Sequence, residues 1–185
     1  LEREFGFHVY RHDEKWLGGD HARAADPERH PAMVRYWNEY MNKDTAGRPR
    51  VEWICETYPV DQLVQDQIDF FTEQFEMVVD DLYALPADNP VVAEGSGLLP
   101  DCVSRVADRQ KGIWMVSTQG FEQEMRPFVG QKSEPWFEKL TEWSAKRREH
   151  TVTRAEQLGL KIVETDGSRT TADTIELVKT HFGLR

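Results

Sequence analysis

The chain has 185 residues and a formal net charge of -10, with 30% charged and 39% hydrophobic residues. This composition is typical of one globular domain with its own core, and the negative charge argues against binding to nucleic acid or an anionic membrane. No apolar run approaches the roughly 18 residues of a membrane span, and no signal peptide is visible. The two cysteines, Cys55 and Cys102, show no metal-ligand spacing, so we expect a cytoplasmic protein with reduced thiols.

The first residues predict the end of a helix and then a strand. Residues 1–5 resemble a last helical turn, Gly6 suits the position that ends one, and residues 7–10 read as the strand. A chain that opens within a helix favours a strand, loop and helix body upstream, and an ordinary frayed terminus is the alternative. Residues 16–31 contain two glycines and two prolines and predict a loop.

Helices and short strands then alternate. Residues 32–41 predict an amphipathic helix, 51–54 a short strand or an extended link, and 61–85 the clearest helix, with apolar residues at steps of three and four. Further helices are predicted over 101–106, 120–126, 134–158 and 171–182, with a loop at 129–135, and strands end near residues 94, 117 and 163. This alternation predicts a single α/β domain with a parallel sheet and helices on both faces.

Two short apolar runs organise the chain. Residues 90–94 end at Glu94, and residues 112–118 end in Ser117 and Thr118. Such runs are typical of buried parallel strands, whose carboxyl ends open onto the crevice where ligands bind in α/β sheets. Glu94 therefore brings an acid to the expected site.

The succession resembles the P-loop small-molecule kinases, the group that includes shikimate kinase, adenylate kinase and chloramphenicol phosphotransferase. The resemblance rests on the segment Ala-Glu-Gly-Ser-Gly-Leu-Leu-Pro at 93–100, the strand Ile-Trp-Met-Val-Ser-Thr at 113–118, and Thr-Asp-Gly at 165–167. It is closest to an uncharacterised branch of that group. It implies a three-layer fold and Mg²⁺-assisted phosphoryl transfer from ATP to a small-molecule acceptor, which the sequence does not name.

One defining element of these kinases is missing from the sequence. The Walker A loop, G-x-x-x-x-G-K-[ST], holds the phosphates through backbone amides and a lysine, and no stretch of the 185 residues matches it. In the kinases it follows the central strand, just upstream of the point where this chain begins. Either that segment lies outside the sequence, or the protein is not a working kinase.

The resemblance assigns roles to two acids. Asp13 follows the first strand and would orient or deprotonate the acceptor, and the alternative is a solvated turn. Glu94 would hold a water of Mg²⁺ or contact the acceptor, since Mg²⁺ is bound through one or two carboxylates plus phosphates. The alternatives for Glu94 are a cap on the next helix or a pair with an arginine.

The resemblance also assigns residues to the nucleotide. Residues 120–148 would form the lid, with Arg126 catalytic and with Arg147 and Arg148 brought to the phosphates of ATP. The alternative is a solvated helix face on which Lys146 or Arg148 pairs with a glutamate of the same helix. A loop after the last strand would border the adenine, and its members are Asp166, Gly167, Ser168 and Thr170. The alternative there is a plain turn with a threonine cap.

Other readings stay open. The segment 16–85 would form the acceptor side of a kinase, but the chain could instead be a non-catalytic nucleotide-binding or interaction module, or a nucleoside triphosphate hydrolase. His8 and His12 share one side of a strand and could bind a metal with Asp20 or His21, although surface histidines are more common. The sequence leaves the oligomeric state open.

Overall fold

The computed structural model describes residues 2–121 and 134–184. Contacts divide the chain into two compact units, Leu1–Arg50 with Gln62–Leu99 and Val51–Asp61 with Pro100–Arg185. Each unit is described by itself below.

The described part of the chain contains the full length of four strands and nine α-helices. The strands are β1 (His8–Arg11), β2 (Val91–Glu94), β3 (Ile113–Ser117) and β4 (Lys161–Thr165). The helices are α1 (Glu2–Phe5), α2 (His12–Leu17), α3 (Asp20–Ala24), α4 (Pro31–Tyr36), α5 (Arg50–Thr57), α6 (Val60–Ala84), α7 (Pro100–Val103), α8 (Pro135–Gln157) and α9 (Thr171–Phe182). A π-helical segment, Trp37–Met41, continues α4, and a 3₁₀ turn covers Arg109–Lys111.

The first unit contains the parallel pair β1–β2. Its register aligns His8 with Val91 and Arg11 with Glu94. Because the strands are parallel, both carboxyl ends lie at the same end of the pair. The residues that follow Arg11 and Glu94 are therefore neighbours.

Helix α6 contributes a buried apolar stripe to the core of the first unit. Its apolar stripe buries Leu63, Phe70, Phe71 and Val78, each 1% exposed or less. Aromatic rings pack on this stripe, with Tyr36 centred 4.9 Å from Phe70, and aromatic pairs at such distances add to the burial of apolar area. The periodic apolar spacing in the sequence therefore corresponds to a helix, and the rest of the first unit covers its apolar stripe.

The second unit contains the parallel pair β3–β4, with Ile113 aligned to Lys161 and Ser117 to Thr165. Its apolar cluster joins the first turns of α8 to α5 through Trp136, Phe137, Leu140 and the buried Cys55. Both cysteines are buried free thiols.

Most predicted elements are present, and two predictions are wrong. The stretch predicted as a loop over 16–31 contains the end of α2 and all of α3, and the stretch 51–54 is part of helix α5 rather than extended chain. Both helices are short, and burial of His21, Ala22, Ile54 and Cys55 outweighs weak local signals. The predicted helix over 120–126 and the loop over 129–135 lie mostly outside the described residues.

The structure confirms a mixed α/β class with parallel strands, and the described strands form two two-stranded sheets. Among the described residues, none of the helices combines the length and the apolar character that crossing a membrane requires.

Candidate functional site

The two predicted acids lie at the same end of the β1–β2 pair. Asp13 stands in the first turn of α2, directly after β1, and Glu94 is the last residue of β2. The loop after Glu94 bonds back to Asp13, since the Ser96 backbone amide donates to Asp13 Oδ1 at 2.9 Å and the Ser96 hydroxyl does so at 3.0 Å. The Asp13 carboxylate is therefore a fixed acceptor in the first turn of a helix, whereas the alternative considered for it in the sequence was a solvated turn.

Every hydrogen bond that the described residues make to the Asp13 carboxylate reaches the same oxygen. Besides Ser96, the Trp16 Nε1–H donates to Oδ1 at 3.2 Å, and His12 Nδ1 lies 3.3 Å from Oδ1. Oδ2 has no hydrogen-bond partner in the described ranges, and the side chain is 42% exposed. One carboxylate oxygen is thus anchored while the other is available to a ligand.

The same contacts keep Asp13 ionised. The hydrogen bond from His12 and those from Ser96 and Trp16 lower the pKa of Asp13 to about 2, although partial burial acts in the opposite direction. Hydrogen bonds to the charged form of a carboxyl favour that form. Asp13 is therefore a carboxylate at neutral pH, suited to accept a hydrogen bond.

Glu94 is exposed, and its carboxylate has no hydrogen bond or ion pair among the described residues. The alternative roles considered for it are not seen. The next helix, α7, begins six residues later at Pro100, and the aligned Arg11 bonds to Glu2 at 2.9 Å instead. Glu94 is thus an exposed acid at a strand end that the rest of the described chain does not bind.

The loop between Glu94 and α7 passes very close to His12. A Cβ on Gly97 would lie 2.2 Å from His12 Cε1 and 2.4 Å from Phe71 Cδ1, and one on Gly95 would lie 2.7 Å from His12 Cβ. Gly95 also has φ of +146°, which L side chains rarely adopt. The two glycines therefore let the loop lie against the histidine that contacts Asp13.

His12 is 1% exposed, so the prediction of a surface histidine is wrong. Its Nε2 lies 2.9 Å from Gln74 Oε1, and Gln74 Nε2 lies 3.1 Å from His21 Nδ1. His21 Nε2 then lies 3.0 Å from Asp81 Oδ2. A continuous chain of polar side chains therefore runs from Asp13 through the interior of the first unit to Asp81.

Asp81, at the other end of this chain of polar side chains, is also ionised. Burial raises the pKa of Asp81, but the hydrogen bonds from Tyr10 and His21 outweigh burial and leave this pKa below its ordinary value. The Tyr10 hydroxyl donates to Asp81 Oδ2 at 2.8 Å. Burial and the neighbouring Asp81 raise the pKa of Tyr10, so its phenol remains a donor.

Sequence reasoning missed this polar chain. A signal was present, because Gln67, Gln74 and Asp81 recur every seven residues along the otherwise apolar face of α6. Residues seven apart lie on the same side of a helix, and buried polar side chains require partners. Repeated polar residues on a core-facing stripe therefore predict a buried network.

The predicted nucleotide-binding arginines belong to the second unit or lie outside the described residues. Arg148 donates from Nε to the Ser117 carbonyl at 2.9 Å and from Nη2 to Glu164 Oε1 at 2.6 Å. It thereby joins α8 to the carboxyl ends of both β3 and β4. Arg147 is partly buried beside it, and Arg126 lies outside the described residues.

Lys146, the neighbour of these arginines, pairs with Glu142 at 2.9 Å and with Asp61 at 2.5 Å. The pair with Glu142 is the helix-face pairing considered as an alternative in the sequence. The basic stretch of α8 is thus occupied by ion pairs at Lys146 and Arg148.

The loop after β4 is a capped turn. Asp166 Oδ1 accepts from the Ser168 amide at 2.9 Å, and Thr170 forms a capping box with Asp173 at the start of α9. Gly167 has φ of +84°, and a Cβ there would lie 2.7 Å from the Phe121 ring. The side chains assigned to adenine therefore already have local structural roles.

Within the described ranges, no group of three or more His, Cys, Asp or Glu residues is arranged to hold a metal ion. Glu94 could supply one ligand of a cation whose other ligands come from a substrate or from water. Comparison of the chain with protein-family models, with curated proteins and with solved structures found no match.

Proposed function

We propose that this protein transfers a phosphoryl group from ATP to a small-molecule acceptor with the help of Mg²⁺. The observation that carries the proposal is the placement of two acidic residues, Asp13 and Glu94, at the carboxyl ends of two adjacent parallel strands, with Ser96 of the loop after Glu94 bonded to Asp13. Ligands of α/β sheets bind at this end. Phosphoryl transfer needs positioning and charge neutralisation, and both residues suit these tasks.

Asp13 is proposed to orient the acceptor hydroxyl. Its Oδ1 is anchored by the Ser96 amide at 2.9 Å and by other donors, which fixes the direction of Oδ2, an oxygen with no hydrogen-bond partner among the described residues. A carboxylate with a pKa of about 2 is a weak base, but it is a good hydrogen-bond acceptor. This suits a reaction in which the attacking oxygen is positioned first and loses its proton late.

Glu94 is proposed to face the metal. The donor set fits Mg²⁺, because an exposed carboxylate without a partner in the described residues offers the hard oxygen that this cation prefers. When bound, Mg²⁺ neutralises charge on the phosphates. The chain's own contribution is a single carboxylate at the end of β2, which leaves the other coordination positions to phosphate oxygens and water.

The strand pairing is compatible with the proposal. Both two-stranded sheets, β1–β2 and β3–β4, are parallel, as the strands of the proposed kinase fold are. The resemblance places the Walker A loop directly after the central strand of that fold. The three-layer kinase fold therefore remains part of the proposal, and it requires a phosphate cradle that the 185 residues do not contain.

The test begins with the coding sequence that precedes the codon for Leu1, where the proposal requires G-x-x-x-x-G-K-[ST] in frame. ADP release by the complete gene product is then measured with ATP, Mg²⁺ and a panel of hydroxyl and amine acceptors. Release that depends on an acceptor supports the proposal. Release without any acceptor indicates a hydrolase, ATP binding without release indicates a nucleotide-binding module, and absence of ATP binding rejects all three.

A further inference from the structure

The hydrogen bonds of the polar chain between Asp13 and Asp81 require a definite number of protons on its two histidine rings. Its inner members are His12, Gln74 and His21, which are 1%, 0% and 5% exposed. They are shielded from bulk solvent, and the structure places a polar side chain against each ring nitrogen. The protons can therefore be counted from the hydrogen bonds alone.

Both outer contacts need a proton on the histidine. Asp13 Oδ1 faces His12 Nδ1 at 3.3 Å, and Asp81 Oδ2 faces His21 Nε2 at 3.0 Å. Asp13 also accepts from Ser96 and Trp16, and Asp81 accepts from Tyr10, so both carboxylates act as acceptors. A bare imidazole nitrogen opposite an ionised carboxylate oxygen would be repulsive, and each outer nitrogen therefore carries a hydrogen.

The two contacts of the Gln74 side chain with the histidine rings must differ in the direction of the hydrogen bond. The amide of Gln74 has one accepting oxygen and one donating nitrogen, so it accepts from one ring and donates to the other. The oxygen faces His12 Nε2 at 2.9 Å, and the nitrogen faces His21 Nδ1 at 3.1 Å. These contacts call for hydrogens on both nitrogens of His12 and on one nitrogen of His21.

We propose that His12, Gln74 and His21 hold one imidazolium between the carboxylates of Asp13 and Asp81, and that the orientation of the Gln74 amide selects which ring carries it. A half-turn of the amide presents its nitrogen to His12 and its oxygen to His21. The proton on His12 Nε2 is then lost, one is bound at His21 Nδ1, and the total is unchanged. Three of the four ring nitrogens carry a proton in either arrangement.

The surroundings of the two histidine rings favour one positive charge shared between them. The rings of Phe71 and His12 pack edge to face with centroids 5.5 Å apart, and Gly95 and Gly97 lie close against His12. At the other end, Tyr10 and Lys15 act on Asp81. A buried charge is tolerated when it is paired and hydrogen-bonded, and the two carboxylates provide that pairing.

This arrangement would set the basicity of Asp13, and that consequence rests on the proposed function. With the imidazolium on His12, Asp13 is held as a weak base and good acceptor. With the imidazolium on His21, Asp13 faces a neutral ring and binds a proton more readily, because an opposite charge has been removed. His12 and Gln74 are therefore positioning residues for Asp13.

The proton count is measured by nitrogen NMR of the histidine rings at neutral pH in uniformly ¹⁵N-labelled protein. The chain has six histidines, and single replacements His12→Gln and His21→Gln assign the two relevant rings. The expected result is one ring with two protonated nitrogens and one ring with a single protonated nitrogen. Two neutral rings, or two imidazolium rings, would overturn the proposal.

Two variants of Gln74 sharpen the test. Gln74→Glu places an acceptor opposite both rings, so both should become imidazolium, whereas Gln74→Leu removes the central acceptor and both should become neutral. Gln67→Leu is the matched control, because Gln67 is also buried on α6 and its Oε1 has no partner in the described residues. It should leave the ring protonation as in the wild type.

Turnover gives a separate readout. If the protein is a kinase, Gln74→Glu should shift the pH profile of kcat, while Gln67→Leu should not. If no ATP turnover is found, the proposed function fails. The NMR measurement still shows how many protons the rings of His12 and His21 carry. If the wild-type rings of His12 and His21 carry three protons in total but Gln74→Glu leaves the pH profile of kcat unchanged, the link to Asp13 is rejected.

Discussion

The backbone amide of Ser96 donates a hydrogen bond to the carboxylate of Asp13 at 2.9 Å, although 83 residues separate the two along the chain. This bond joins the loop after β2 to the first turn of α2. It exists because β1 and β2 are parallel and in register to their last residues, Arg11 and Glu94. The candidate site is therefore assembled by strand pairing.

Replacing Gly97 with alanine should destabilise the first unit. The new Cβ would lie 2.2 Å from His12 Cε1 and 2.4 Å from Phe71 Cδ1, and both atoms belong to buried rings that cannot move aside easily. We expect a loss of about 1–3 kcal/mol in the free energy of unfolding, measured in urea. Gly120→Ala is the control, because no atom lies within 4 Å of its added Cβ. Equal stability of the two variants would contradict the close packing of the loop.

Stability should fall in acid partly because of Asp13. Its folded-state pKa is lowered from 3.8 to about 2, so ionised Asp13 stabilises the fold above about pH 4, and this contribution is lost as the pH falls toward 2. Asp13→Asn should flatten the dependence of the melting temperature on pH between these limits. Ser96→Ala keeps the amide donor and removes only the hydroxyl, so it should give an intermediate slope. An unchanged slope in Asp13→Asn would exclude this contribution.

Glu94→Gln should abolish turnover and leave the fold intact. The side chain is exposed and has no partner in the described part of the chain, so removing its charge breaks no contact there. The lost ligand should lower kcat for phosphoryl transfer by about 100-fold or more, a magnitude typical of removing one strong electrostatic group. Asp88→Asn changes another exposed acid of the first unit and serves as the control. Full activity of Glu94→Gln with a wild-type melting temperature would remove Glu94 from the mechanism.

Arg148 should contribute to the stability of the second unit. It bonds to the Ser117 carbonyl at 2.9 Å and to Glu164 at 2.6 Å, so Arg148→Ala should lower the free energy of unfolding by about 1 kcal/mol. Arg148→Lys keeps the charge without the guanidinium geometry and should recover part of this loss.

The same arginine also tests the proposed lid. If Arg126 and Arg148 act on ATP, the double alanine variant should bind and turn over ATP more weakly than Arg148→Lys does. Nucleotide affinity and rate equal to those of the wild type would reject the lid assignment, and the stability effect of Arg148 would stand by itself.

Thr170→Ala should weaken α9. The threonine side chain accepts from the Asp173 amide at 3.2 Å within a capping box, and losing such a cap costs about 1 kcal/mol. Hydrogen exchange of the first turn of α9 should accelerate accordingly. Thr171→Ala, one residue further on, is the control and should change the exchange rates little.

The sequence by itself determined the long elements. Apolar residues at steps of three and four predicted α6 and most of α8, and the pattern Thr-x-x-Asp with Gly183 after the last turn marks both ends of α9. These signals are local, because a helix is specified by the spacing of its own residues. The same holds for β2 and β3, whose apolar runs end at small or polar residues.

The tertiary structure alone decided which side chains meet. Nothing local to residues 12, 21 and 74 shows that His12, His21 and Gln74 bond to one another. Residues 16–31, which include the end of α2 and all of α3, were predicted as a loop because the stability of such short helices comes from packing. Pairing between distant segments depends on the whole chain, since a buried polar group takes its partner from whichever element covers it. Asp13 could be named from its place after a strand, but its ionised state is a property of the contacts that only the fold brings together.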